Sequence, residues 1–106
     1  MKWLKTSEPG VIPTEEQWNN HPCFYATLGS AGRMKICVPD YIDGNLYAWD
    51  PMEGSNKLIR PYLVIAIAEI DLEDIPQELV NSIISVSNIA HTRSKFREIY
   101  DKLKGV

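Results

Sequence analysis

Residues 23–38, which read CFYATLGSAGRMKICV, decide the fold of this chain. Apolar residues alternate with other residues in both halves of the stretch, which is typical of two half-buried strands. The loop 29–33 between them contains two glycines, which readily adopt the positive backbone angles that a hairpin loop needs. The stretch therefore predicts an antiparallel β-hairpin.

The register of this hairpin follows from its faces, because cross-strand partners must share a face and both apolar faces must lie on one core. The pairs expected are Phe24 with Val38, Tyr25 with Cys37, Ala26 with Ile36, Thr27 with Lys35 and Leu28 with Met34. Cys23 then lies diagonal to Cys37, roughly 7 to 8 Å away and beyond the usual Cα reach of a disulfide. The register predicts two free thiols.

Two further strand signals follow the first hairpin. Asp43-Gly44 lies between Ile42 and the run 46–49, and Asp-Gly is a strong signal of a second hairpin. Residues 58–70 are apolar at both alternating positions, which is typical of a strand covered on both faces. We expect this strand to be central, with full pairing only after Pro61, which has no N–H to donate.

A short helix and an edge strand are predicted before the first hairpin. Thr14 with Gln17 three residues later forms a capping box, and the helix that carries Trp18 must end before Pro22. Residues 2–5 predict a short edge strand. The Trp18 helix, or a partner subunit, is expected to cover the second face of the central strand.

Two helices are predicted at the C-terminus. Asp74 is expected to cap the first, with Pro76 in its first turn and acidic residues at its positive end. The apolar spacing fits one long helix or two. We expect two, broken near His91 and Thr92, with Thr92 or Ser94 capping the second.

These signals predict one α+β domain over residues 1–106. Runs of strands followed by runs of helices imply an antiparallel sheet of about four to five strands, a meander of hairpins, with the two C-terminal helices packed on one face. The hydrophobic fraction of 44% with 24% charged residues excludes a disordered chain.

Charge and hydropathy restrict the partners and the compartment. The net charge of -3 gives no broad electrostatic reason to bind nucleic acid or anionic lipid. The longest apolar run, residues 62–68, is too short to span a bilayer, and residues 1–5 do not resemble a secretion signal. We expect a cytoplasmic protein without a membrane partner.

No catalytic, metal or cofactor motif is recognised. His21, Cys23, Cys37 and His91 are ligand types for zinc, but the cysteines are 14 residues apart instead of forming a closely spaced pair. A Cys-His nucleophile would need a base whose position the sequence does not give. The sequence therefore favours a binding protein over an enzyme, with no cofactor.

Residues 39–56 carry the leading candidate for a binding surface, because they combine three aromatic rings with four acidic residues and no basic one. The predicted partner-binding residues, here called the hairpin set, are Asp40, Tyr41, Asp43, Tyr47, Trp49, Asp50 and Glu53. The alternative is that these aromatics face the core. The function expected is a small protein-binding module of the inhibitor, immunity or regulatory type, microbial or phage, and a homodimer also stays open.

Two other functions stay open. Basic residues of the C-terminal helix can contact phosphates in a nucleic acid, and those predicted to do so are Arg93, Lys95, Arg97 and Lys102. The alternative is that these basic residues only form the solvated outer face of the helix. A small-molecule binder or small enzyme would use an unidentified pocket, for which the candidates are Tyr25, Cys37, Tyr41 and His91.

Overall fold

A computed structural model describes residues 2–51, 56–86 and 90–105. Its strands and helices confirm the α+β class, although the described residues form six strands instead of four to five. The strands are β1 (Leu4–Lys5), β2 (Phe24–Gly29), β3 (Met34–Ile42), β4 (Asn45–Trp49), β5 (Asn56–Leu58) and β6 (Val64–Ile70). The helices are α1 (Glu15–Asn20), α2 (Gln77–Val86) and α3 (Ala90–Lys104), with a 3-10 turn at Leu72–Asp74.

One antiparallel sheet holds these strands in the order β1-β6-β2-β3-β4-β5. Strands β2 to β5 form the expected meander, but β6 returns to pair with β2 and so lies inside the sheet. The prediction of a central strand that pairs after Pro61 is confirmed by β6, but its predicted start at residue 58 was wrong, because Leu58 belongs to β5. Residues 59–63 separate β5 from β6, because the carbonyl of Arg60 accepts the N–H groups of Leu63 and Val64 at 3.0 and 2.8 Å in a tight turn.

The first hairpin has the predicted register over the four pairs from Tyr25 with Cys37 to Leu28 with Met34. Strand β3 continues four residues past the predicted end at Val38. Pro39 is tolerated there because pairing with β2 stops at Cys37, so β3 pairs only with β4 from Val38 onward. The second hairpin turns at Asp43 and Gly44, whose φ values of 52° and 78° fit the turn predicted from Asp-Gly.

The sheet is curled. Three strands separate β5 from β6, so these two strands would lie roughly 19 Å apart in a flat sheet with its usual strand spacing. The connection between them contains the tight turn at Arg60 and is too compact for that distance. The sheet therefore has a concave face and an opposite face, here called the helix face.

The two faces carry separate apolar cores. The helix face packs against α2 and α3 through buried residues that include Phe24, Val38, Ile83 and Phe96, with the Phe24 and Phe96 rings stacked at 4.9 Å. The concave face buries Cys23, Tyr25, Cys37, Leu46, Ala48, Ile59, Val64 and Ile67. Both cysteines are free, as the register predicted.

The N-terminal segment covers one end of the concave face. The capping box of α1 is formed as predicted, with the Thr14 side chain accepting from Gln17 N and the Gln17 side chain accepting from Thr14 N. Trp18 packs against both cores and donates its Nε1 hydrogen to the carbonyl of Cys23 at 3.2 Å. The helix that carries Trp18 is thus part of the expected cover.

The C-terminal helices begin at other residues than predicted. Helix α2 begins at Gln77, just after Pro76, because Asp74 belongs to the preceding 3-10 turn. Helix α3 begins at Ala90, so Thr92 lies within it and is fully buried instead of capping it. The prediction of two helices is confirmed, but the break is not near His91 and Thr92, because both residues lie within α3. Residues 87–89 between the helices lie outside the described residues.

Candidate functional site

Asp40 of the hairpin set is buried in a polar cluster on the helix face, with 8% of the residue exposed. Its Oδ2 accepts the Nε1 hydrogen of Trp49 at 3.0 Å and lies 2.9 Å from Nε2 of His91. Nζ of Lys95, one turn along α3 from His91, lies 3.7 Å from Oδ1. One carboxylate therefore ties the second hairpin to α3.

The electrostatics of this cluster favour the ionised form of Asp40. Burial by itself would raise the pKa of Asp40, but the hydrogen bonds from His91 and Trp49 and the charge of Lys95 outweigh it, so the pKa is lowered from its ordinary value of 3.8. Asp40 thus acts as an anionic anchor for α3.

Tyr41 anchors the N-terminal segment on the other side of β3. Its hydroxyl lies 3.1 and 3.2 Å from the carbonyl oxygens of Pro13 and Thr14, to which it donates. Its ring lies 6.0 Å from that of Trp18. Burial raises the pKa of Tyr41 to about 12, so the hydroxyl stays a donor at neutral pH.

The other members of the hairpin set differ in exposure. Asp50 is 12% exposed at its side chain and pairs with Nζ of Lys35 at 2.7 Å. Asp43 is exposed at the turn and Tyr47 is half-buried, while Glu53 lies outside the described residues. The carboxylates of Asp40 and Asp50 thus have partners inside the fold. Partner binding by the exposed remainder stays a prediction.

The basic residues of α3 do not form one stripe. Lys95 points to Asp40, and Nζ of Lys102 lies 3.4 Å from Oε1 of Glu98 in the same helix. Arg93 and Arg97 are exposed. Two of the four residues predicted to bind nucleic acid therefore sit beside carboxylates, and nucleic-acid binding stays a prediction.

The candidate pocket and metal residues are divided between the two faces. His91 joins the Asp40 cluster on the helix face, whereas Cys37 and Tyr25 belong to the concave core. Burial raises the pKa of Cys37 to about 11, so its thiol is protonated at neutral pH and a poor nucleophile. Within residues 2–51, 56–86 and 90–105, no three His, Cys, Asp or Glu side chains are grouped to hold a metal ion.

A second surface, which the sequence did not single out, lies at the opposite end of β3 from the Asp43 turn. We define this open end as residues 2–7, 28–35 and 60–66. On the helix face it contains a groove of about 440 Å³ that α2 and α3 do not line. The groove, here called the apolar groove, is lined by Trp3, Lys5, Ser7, Leu28, Pro61, Ile65 and Ala66.

A β-bulge produces the apolar groove. Leu28 pairs with Ala66 but Gly29 pairs with Val64, so β6 has Ile65 as an extra residue at this point. Val64 faces the concave core, while Ile65 is 40% exposed and lines the groove. Strict alternation along β6 cannot predict this, because the bulge breaks the period of two.

Large apolar side chains remain exposed around the groove. Trp3 is 39% exposed, and Met34, the cross-strand partner of Leu28, is 58% exposed. The open end also contains five basic residues and no acidic one, namely Lys2, Lys5, Arg33, Lys35 and Arg60. It is therefore apolar and cationic in a chain whose net charge is negative.

In the part of the chain that the structure describes, no helix has the length and apolarity needed to cross a membrane. No protein-family model, curated protein or solved structure matches this chain.

Proposed function

We propose that this protein is a small protein-binding module, of the inhibitor, immunity or regulatory type, that docks its partner at the open end of the sheet. The observation that carries the proposal is the apolar groove, with Trp3, Ile65 and Met34 exposed around it. Contiguous exposed apolar surface rimmed by polar groups is typical of protein interaction sites, whereas single exposed apolar residues are ordinary.

The charges of the open end favour an acidic partner. Lys5 lines the groove, and none of its described lining residues carries a carboxylate. Lys2 and Arg60 are exposed and adjoin Trp3 and Pro61 in the chain. A protein surface that offers an apolar anchor flanked by Asp or Glu would gain both hydrophobic burial and electrostatic steering.

The open end supports this function better than the hairpin set does. In the hairpin set, the polar groups of Trp49, Asp40 and Asp50 make contacts inside the fold. The apolar side chains around the groove are exposed, so a partner can contact them. The exposed hairpin residues Asp43 and Tyr47 are the competing surface. The two surfaces can be changed independently.

The test is an affinity capture from the source organism, followed by direct binding to the purified partner. Four baits are compared: the wild type, Trp3→Ala with Ile65→Thr, Lys5→Glu with Arg60→Glu, and Asp43→Asn with Tyr47→Ala. Affinity is measured by calorimetry at two salt concentrations, because steering between opposite charges weakens with ionic strength.

The proposal predicts that both open-end variants weaken the purified complex by roughly tenfold or more, since a central apolar anchor contributes about 1.4 kcal/mol or more. The Asp43→Asn, Tyr47→Ala variant should bind as the wild type does. Loss of binding only in that hairpin variant would contradict the proposal. A partner that proves to be a second copy of the chain, or a nucleic acid, would also contradict it.

A further inference from the structure

A second cavity opens on the concave face at the open end, separate from the apolar groove. Residues from β2, β3, β4 and β5 and from the chain around Val64 converge there, so it is the mouth of the curled sheet. Its volume is about 360 Å³, within the range of roughly 300 to 1,000 Å³ that is usual for ligand pockets. Tyr41, Trp18 and the segment around Val11 pack onto the concave core, but none of them lines this mouth.

The floor of the cavity is formed by Thr27 and Cys37, which are 6% and 4% exposed. Their Oγ1 and Sγ atoms are 3.1 Å apart and hydrogen-bonded to each other. One wall is apolar, with Ala48, Leu63 and Val64. The Gly29-Ser30-Ala31 turn forms part of the rim. Such a mixture of apolar wall and few polar groups is typical of a small-molecule site.

The charged residues of the cavity are mostly cationic. Arg33, Lys35 and Lys57 line it together with a single carboxylate, that of Asp50, which leaves a net charge of +2 among the described lining residues. Lys35 and Asp50 are ion-paired at 2.7 Å and fix one side of the cavity. Arg33 and Lys57 are exposed. A guanidinium can bind a phosphate through two parallel hydrogen bonds, to which a lysine adds a point charge.

We propose that this cavity binds a small organic phosphate monoester, with its phosphate near Arg33 and Lys57 and its apolar body against Leu63, Val64 and Ala48. The phosphate carries about -1.5 to -2 charges at neutral pH, which matches the charge of the lining. The inference does not depend on the protein partner, because the cavity and the apolar groove lie on opposite faces of the sheet.

The test uses phenyl phosphate as the probe, titrated into the labelled full chain and followed by amide chemical shifts. Saturable shifts are expected at Thr27, Gly29, Ser30 and Ala31. Two other compounds are titrated in parallel. Phenol shows how much of the binding comes from the apolar body alone, and succinate shows whether a carboxylate dianion can replace the phosphate. Phenol lacks the phosphate and succinate lacks the apolar body, so each should bind at least about tenfold more weakly than phenyl phosphate.

Two charge-matched variants locate the site. Arg33→Gln with Lys57→Gln removes two exposed cations of the cavity and should weaken phenyl phosphate binding by about tenfold or more. Arg93→Gln with Arg97→Gln removes two exposed cations of α3 and should leave the affinity unchanged.

Absence of saturable shifts in the wild type would overturn the proposal, and so would equal weakening in the two variants. Phenol binding as tightly as phenyl phosphate would make the cavity an apolar site and refute the phosphate assignment. Succinate binding more tightly would refute it in favour of a dicarboxylate. The wild-type titration decides these points even where a variant is poorly folded.

Discussion

The β3–β4 hairpin and the open end of the same sheet both carry large side chains, but these side chains have different contacts. In the hairpin, Asp40 accepts from Trp49 of the same hairpin and pairs with His91 of α3, while Tyr41 donates to the N-terminal segment. At the open end, Trp3, Ile65 and Met34 are exposed, and no described helix lines the apolar groove. Contacts with a third element thus decide whether a large side chain of this sheet stays exposed.

The largest expected effect separates two aspartates of the same hairpin. Asp40→Asn removes the charge that accepts from Trp49 and pairs with His91 and Lys95, and it should lower the free energy of unfolding by about 2 kcal/mol, as expected for charge-assisted hydrogen bonds. Asp43→Asn makes the same chemical change at an exposed turn where Asn tolerates a positive φ, and it should cost less than about 0.5 kcal/mol. Urea denaturation at pH 7 measures both. Equal losses would contradict the internal role of Asp40.

The Asp40 effect should also depend on pH. Because the folded-state pKa of Asp40 is lowered below its ordinary value of 3.8, its stabilising contribution is complete above about pH 5 and is lost as the pH falls through the folded-state pKa. The difference in unfolding free energy between the wild type and Asp40→Asn should therefore narrow from pH 5 to pH 2. A difference that stays constant, or grows, would show that the charge of Asp40 does not stabilise the fold.

A smaller effect is expected for the two hairpin tyrosines. Tyr41→Phe removes the hydroxyl that donates to the backbone at Pro13 and Thr14, and it should cost about 1 kcal/mol of unfolding free energy. Tyr47→Phe in the half-buried neighbour is the matched control and should cost less than about 0.5 kcal/mol. The reverse order would place the structural tyrosine at position 47.

The smallest effect is expected at the open end. Ile65→Thr keeps the β-branched shape at a position that is 40% exposed, and it should change the unfolding free energy by about 0.5 kcal/mol or less. Thermal and urea denaturation provide the measurement. A loss of 2 kcal/mol or more would mean that Ile65 belongs to the core and that the groove is not a free surface.

Local signals predicted the parts of the fold that depend on nearby residues. The first hairpin register, the Asp-Gly turn and the capping box at Thr14 are formed as expected. The position of β6 beside β2 was not predictable in the same way, because it depends on long-range pairing and on the tight turn after Arg60. The candidate sites were harder to predict than the fold. Nothing in the sequence pattern showed that Asp40 would meet His91, 51 residues later, or that a bulge would expose Ile65.

Docking of a partner at the open end is tested by amide hydrogen exchange of the wild-type chain with and without its purified partner. A partner docked at the open end should slow exchange in residues 2–7 and 60–66, with little change at residues 42–47. Protection confined to residues 42–47, with exchange at the open end unchanged, would contradict it.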